Sequence, residues 1–291
     1  MRQDIDLERG ARTIKHNVQR AANQATMSPW MEALLRLGYF VRGVVYGVIG
    51  LLALEAAFGG GGALTDPKGA IAAIGGTSLG GILLYVILVG LVSYGLWGLI
   101  RAIIDPQNNG TSAKGIIERV GYAVSGISYM ALGYAVYNPV QGGIASARGS
   151  QTAQIQQTTG TIMSKPWGAW VVALGGIIMV VVGCVQIYRG IQPSFDRQFK
   201  PYALKTSQRK WIIRLGHIGM PARGLVFALV GLFLLLAAIT NNPSQAKGID
   251  GVLASLLHQP FGPWLLGIVA LGLIAFGLYS AMSGFWLRIR R

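Results

Sequence analysis

The segment Gly38-Tyr39-Phe40-Val41-Arg42-Gly43-Val44-Val45-Tyr46-Gly47-Val48-Ile49-Gly50 carries one charge and four glycines. It opens an apolar run from Leu37 to Phe58, about the 20 residues that a helix needs to cross a hydrocarbon core. Gly43, Gly47 and Gly50 recur at helical spacing, so one face of that helix is nearly bare of side chains. Such a stripe lets two helix backbones approach closely in lipid, where dispersion contacts hold helices together. The segment predicts a membrane-spanning helix with a packing seam.

The same spacing, Gly-x3-(Arg/Ser)-Gly-x2-aromatic-x3-Gly, recurs twice without a gap. It reads Gly121, Ser125-Gly126, Tyr129, Gly133 and then Gly219, Arg223-Gly224, Phe227, Gly231. A second pattern alternates with it: Gly80, Gly95, Arg101; Gly168, Gly183, Arg189; Gly262, Gly277, Ser283. Six apolar runs carry the two patterns, at about 37–58, 79–104, 120–137, 166–188, 219–240 and 261–287. The expected fold is all-α, a polytopic membrane protein of six transmembrane helices. These form three tandem helical hairpins in a pseudo-threefold bundle with its axis along the membrane normal. A polar tail, 1–29, precedes repeats at 30–110, 111–200 and 201–291, all in one structural domain. Gly95, Gly183 and Gly277 of the even spans join Gly43, Gly47, Gly50, Gly126, Gly133, Gly224 and Gly231 as helix-packing residues. The segment 68–74 and the segment 248–257 are patterned as short interfacial helices, whereas 141–165 is polar, rich in Gln and Thr, and reads as a divergent loop.

Composition excludes the soluble classes. The 291 residues are 52% hydrophobic and 12% charged, where soluble domains carry about 25% charge. The apolar runs lack the in/out alternation of barrel strands, and a single Cys184 excludes a disulfide scaffold. No apolar run marks a signal peptide in the first 28 residues; Ile5–Ala25 reads as a surface helix or a solvated tail. Nineteen of the 25 Lys and Arg fall on one side of the spans and four on the other. By the positive-inside rule both termini are cytoplasmic. The net charge of +15 then faces anionic lipid and requires no nucleic acid.

Chemistry is sparse. His16, His217 and His258 share no ligating spacing, no HExxH, GxSxG or Walker A motif occurs, and no metal is expected. Cys184 reads as a small core residue, and Glu55 as a headgroup-level carboxylate. Arg42 and Arg223 stand at equivalent positions about one turn inside the cytoplasmic boundary. Arg36 and Arg119 form another equivalent level with His217, and Arg101 and Arg189 close even spans. Together the six arginines are candidates to ring a site for a lipid phosphate or another anion. The competing reading is snorkelling under the positive-inside rule.

The Gly-x3-Arg-Gly entries and the run Phe261-Gly262-Pro263-Trp264-Leu265-Leu266 resemble a bacterial membrane family defined by a thrice-repeated domain of unknown function. The resemblance covers about 34–105, 116–191 and 211–289, with Ser125 where two copies have arginine. It implies the helix-pair fold in a bacterial cytoplasmic membrane, and no activity. No solute-carrier kink motif, Pro-x-(Asp/Glu)-x-x-(Lys/Arg), occurs in the odd spans. The expected function is a non-catalytic structural or accessory subunit, packed against membrane lipids and other membrane subunits. No cofactor is expected beyond a bound phospholipid. The alternative is a small transporter or channel with an anion or solute path on the pseudo-threefold axis, lined by Arg42, Ser125 and Arg223. A packed axis favours the first.

Overall fold

A computed structural model describes residues 29–104, 113–142, 150–192 and 206–286. The tail's expected helix and His16 lie outside these residues. The described residues form nine α-helices and one 3-10 turn, with no strand among them. In chain order the helices are α1 (Pro29–Ala57), α2 (Pro67–Gly75), α3 (Gly80–Ile104), α4 (Ala113–Gly142) and α5 (Gln151–Met163). They continue as α6 (Gly168–Ile191), α7 (Thr206–Ile239), α8 (Ile249–Leu257) and α9 (Gly262–Trp286).

Five of them, α1, α3, α6, α7 and α9, are long and apolar enough to cross a membrane. The chain is a multi-pass helical membrane protein. The remaining expected span falls within the 30-residue α4. Lys114, Glu118, Arg119, Ser125 and Ser128 dilute its apolar character.

The helices pair most closely between repeats. The second long helix of one repeat lies on the first of the next: α3 on α4, α6 on α7, and α9 back on α1. Contacts of α1 with α3 and of α7 with α9 are less extensive. An ion pair of Arg189 with Glu118 at 2.8 Å joins α6 to α4. Glycines set the three close pairs. A Cβ on Gly43 would stand 2.5 Å from the carbonyl oxygen of Gly277, one on Gly126 2.9 Å from that of Gly95, and one on Gly224 2.7 Å from that of Gly183. Each helix backbone therefore rests directly on its neighbour's. Gly231 repeats the contact against Gly176 at 2.7 Å, and Gly50 presses on Ala270 and Ile274. Gly133 meets only the side chains of Val92, Leu91 and Leu88, and the Cβ position of Gly47 faces open space. Gly47 still belongs to the seam through its backbone, which a Cβ on Gly277 would meet at 2.8 Å.

At one end of the bundle α2, α5 and α8 lead into the even helices. Gly80, Gly168 and Gly262 sit against the carbonyls of Gly75, Ile162 and Leu257, too close for any side chain. That contact explains why the even-span pattern starts on glycine. Short helices stand at both expected positions, and their apolar residues Ala70, Ile71, Ile249, Val252 and Leu253 pack into the common core. The polar 141–165 stretch is also different from its reading as a divergent loop, since 151–163 is helical. Ser150 caps α5 by accepting from the Ala153 amide at 3.3 Å. Thr152 donates to Asp250 and accepts from the Gly248 and Gly251 amides at 2.9 and 3.1 Å. The Gln and Thr residues thus weld the second repeat to the third.

Cys184 is exposed on the outer face of α6, which corrects its reading as a core residue. The cause is the helix itself: α6 is apolar all round, and its burial is the lowest of the five apolar helices. Periodicity assigns no inward face to such a helix.

Candidate functional site

Arg42 of α1 and Arg223 of α7 each precede a seam glycine, so their side chains leave the helix where backbones touch and enter the bundle centre. They are 7% and 6% exposed. The Arg42 guanidinium lies 4.9 Å from the Tyr39 ring centroid, 4.6 Å from Tyr94 and 5.0 Å from Phe276. It donates through Nε to Ser280 Oγ at 2.7 Å and through Nη1 to the Tyr94 hydroxyl. The Arg223 guanidinium lies 4.2 Å from Phe227, 5.1 Å from Tyr46 and 5.0 Å from the same Phe276. Its Nη1 donates to Gln186 Oε1 at 2.5 Å, while its buried Nε has no partner.

The rings pack edge to face on each other. Tyr94 meets Tyr129 at 4.6 Å and Tyr39 at 5.2 Å, and Tyr46 meets Phe276 at 5.0 Å. Tyr129 is buried and its hydroxyl has no hydrogen-bond partner. Each cation–π contact away from water contributes about 2 kcal/mol, and each hydrogen bond to a charged group about 1.5–3 kcal/mol. Placing an arginine at the centre of a membrane helix costs about 2.5–3.5 kcal/mol on the insertion scale. Rings and hydrogen bonds can therefore hold both guanidiniums in place, but they leave two positive charges un-neutralised. Among the side chains that the structure describes, the acidic ones lie elsewhere. Glu55 is exposed, Glu118 is paired with Arg189, and Asp66 and Asp250 belong to the α2 and α8 end.

The other four candidate arginines do not join Arg42 and Arg223 in one ring. Arg119 donates to the carbonyls of Ala102 at 2.8 Å and Ile103 at 3.2 Å, satisfying orphan acceptors at the C-terminus of α3. His217 does the same for α6, with Nδ1 against the Gly190 carbonyl. Arg189 is held by Glu118. Arg101 donates to the Tyr39 hydroxyl at 3.5 Å and stacks 4.2 Å from the Tyr122 ring, and its Nε is buried without a partner. Arg36 is exposed. His258 donates to the Ala254 carbonyl at 2.7 Å. No group of three or more His, Cys, Asp or Glu gathers to hold a metal among the described residues.

The cage is assembled from all three repeats. Tyr39, Tyr94 and Phe276 are not in the sequence-derived site, nor are Gln186 and Ser280 as acceptors. Their signal is positional: Tyr94 and Phe276 immediately precede the seam glycines of α3 and α9, and Gln186 and Ser280 follow seam glycines by three.

Segments 37–105, 120–192 and 218–286 match the family described as Domain of Unknown Function (DUF1206). The chain belongs to the DUF1206 family. It is also similar to an uncharacterized protein, YxxB, of Bacillus subtilis (strain 168). The two are 32% identical over 258 residues, 89% of this chain and 92% of that protein. No solved structure matches the chain. Every cage residue falls inside one of the three DUF1206 copies. The first brings Arg42, Tyr46 and Tyr94, the second Tyr129 and Gln186, and the third Arg223, Phe227, Phe276 and Ser280.

Proposed function

We propose that this protein is a non-catalytic structural or accessory subunit of a larger complex in the bacterial cytoplasmic membrane. In this reading α4 is the sixth span, the three hairpins surround a pseudo-threefold axis, and both termini are cytoplasmic. The observation that supports it is the filled centre: Tyr46, Tyr94, Tyr129 and Phe276 interlock around two guanidiniums where a conduit would run. The surface fits the same role. Trp170, Leu174, Ile177 and Val181 line the outer side of α6 and present a continuous apolar face to lipid or to a neighbouring subunit. Phospholipid headgroups dock at the basic end, where Arg36 is exposed and the arginines of the even helices emerge.

The test is purification from the native membrane in a gentle detergent, followed by native-gel sizing and mass spectrometry of co-migrating chains. A stoichiometric larger complex is the expected result. A lone 31.0 kDa chain overturns the accessory role. It would turn attention to the alternative, a small transporter or channel, which the uncompensated pair Arg42 and Arg223 favours.

A further inference from the structure

The centre of the bundle is rich in donors and poor in acceptors. Each guanidinium offers five N–H groups and accepts nothing. The acceptors in hydrogen-bond contact with the pair are Ser280 Oγ, Gln186 Oε1 and the hydroxyls of Tyr94 and Tyr46. Two buried polar atoms remain unpartnered there, Arg223 Nε and the Tyr129 hydroxyl. Both belong to one cluster of rings: Arg223 and Arg42 each lie 5.0 Å from Phe276, Arg42 lies 4.6 Å from Tyr94, and Tyr94 packs 4.6 Å from Tyr129. An unsatisfied buried donor costs about 1–3 kcal/mol, and more when it is charged. What the cage lacks is a negatively charged acceptor.

We propose that Arg223, Tyr129 and Arg42 enclose a binding site for a small monovalent anion of halide size. Three features set its class. The two orphan donors call for an acceptor that needs no fixed geometry, which a halide supplies. The site is walled by aromatic rings and both arginines are more than nine-tenths buried, which favours a small anion over a lipid headgroup. The charge of the pair calls for an anion, which a water molecule does not replace. More donors lie beside the site. Arg101, half-buried at the basic end, reaches the Tyr39 hydroxyl, and the Tyr39 ring faces both Arg42 and Tyr94. Arg101 Nε and the neighbouring Trp97 Nε1 are themselves buried donors without partners. A chain of donors and rings thus links Arg101 to Arg42.

The experiment uses the full chain in mild detergent with gluconate as the background anion at fixed ionic strength. Chloride and bromide are titrated in, with binding read by calorimetry and by the shift in unfolding midpoint. Saturable stabilisation by chloride is expected. Tyr129→Phe, which removes only an oxygen with no partner in the protein, weakens chloride binding about tenfold while the variant stays folded. Arg223→Gln abolishes binding, and Arg214→Gln, at an exposed position, leaves it unchanged. Three outcomes overturn the site: no anion dependence in the parent protein, the same dependence in Tyr129→Phe, or stabilisation by phosphatidylglycerol in nanodiscs with none by chloride.

Discussion

Arg42 and Ser280 lie 238 positions apart in the chain and are joined by a 2.7 Å hydrogen bond from Nε to Oγ, with the Ser280 hydroxyl donating in turn to the Tyr39 carbonyl at 2.9 Å. Arg223 and Gln186 stand in the same relation one repeat away. In both cases the arginine before a seam glycine meets the residue three places beyond the seam glycine of the preceding repeat's second helix. The middle repeat has Ser125 at the first position and faces Gly98 at the second, so arginine and acceptor are missing together. Ser280→Ala is expected to cost about 1.5–3 kcal/mol, the worth of a hydrogen bond to a charged group. Combining it with Arg42→Gln should cost less than the sum of the two, because the second change removes a bond already lost. Unfolding of the four proteins in one detergent gives the coupling.

The middle position should not accept the missing pair. Ser125→Arg adds a third buried guanidinium opposite Gly98, which has no side chain to receive it. Restoring an acceptor with Gly98→Ser does not help, since a Cβ there stands 2.9 Å from the Gly126 Cα. Both the single and the double variant are expected to unfold below the parent, the double at least as low. A double variant that regains parental stability would show that this seam opens easily.

Neighbouring glycines of α1 should respond oppositely to the same methyl group. Gly43→Ala drives a Cβ to 2.5 Å from the Gly277 carbonyl oxygen, backbone that has no rotamer to yield. Overpacking of this kind costs about 1–3 kcal/mol. Gly47→Ala meets nothing within 4 Å and removes a residue of poor helix propensity. It is expected to be neutral, or stabilising by up to about 1 kcal/mol. Thermal unfolding of the two purified variants separates a seam that bears on carbonyls from a stripe of small residues without contact.

How far these contacts were legible differs from residue to residue. The triplicated spacing located the two buried arginines and the seam glycines, because a position kept through three copies stands out against 42 glycines. Which helices the glycines join was not legible. A hairpin repeat is equally compatible with Gly43 facing its own partner helix or, as found, Gly277 at the far end of the chain. The aromatic cage escaped because Tyr94 and Phe276 have Val182 as their third counterpart, so the aromatic character is not repeated. Polarity misled at 141–165, where glutamine and threonine side chains serve the amides of α8 rather than solvent.

Asp66 should make the α2 end of the bundle sensitive to acid in an unusual direction. Its carboxylate caps α2 by accepting from the Gly69 amide at 2.6 Å, but its second oxygen is buried without a partner. Burial raises its pKa above the usual carboxylate value, and nearby Asp250 adds to the shift, whereas the Gly69 bond and Lys68 oppose it. The folded protein therefore holds this proton more tightly than the unfolded chain does. Between the ordinary carboxylate value and the raised one, stability falls as pH rises, and the cost persists at neutral pH. Asp66→Asn keeps a good capping side chain without the charge. It is expected to match or exceed the parent at pH 7 and to remove that slope from a pH series of unfolding midpoints.

Cys184 offers a direct reading of what covers α6. It is the chain's one cysteine and lies exposed mid-helix, one residue past the seam glycine Gly183. Because Gly183 presses on α7 through the Gly224 carbonyl, the adjoining side chain turns away from that contact. A nitroxide attached to Cys184 in purified protein reconstituted into lipid is expected to be mobile. It should be accessible to oxygen, which partitions into hydrocarbon, and shielded from a water-soluble nickel chelate. In native membranes an accessory subunit docked through Trp170, Leu174, Ile177 and Val181 should immobilise the label and cut its oxygen accessibility. Identical spectra in the two settings would mean that lipid alone covers this face, and a partner would have to dock elsewhere on the bundle.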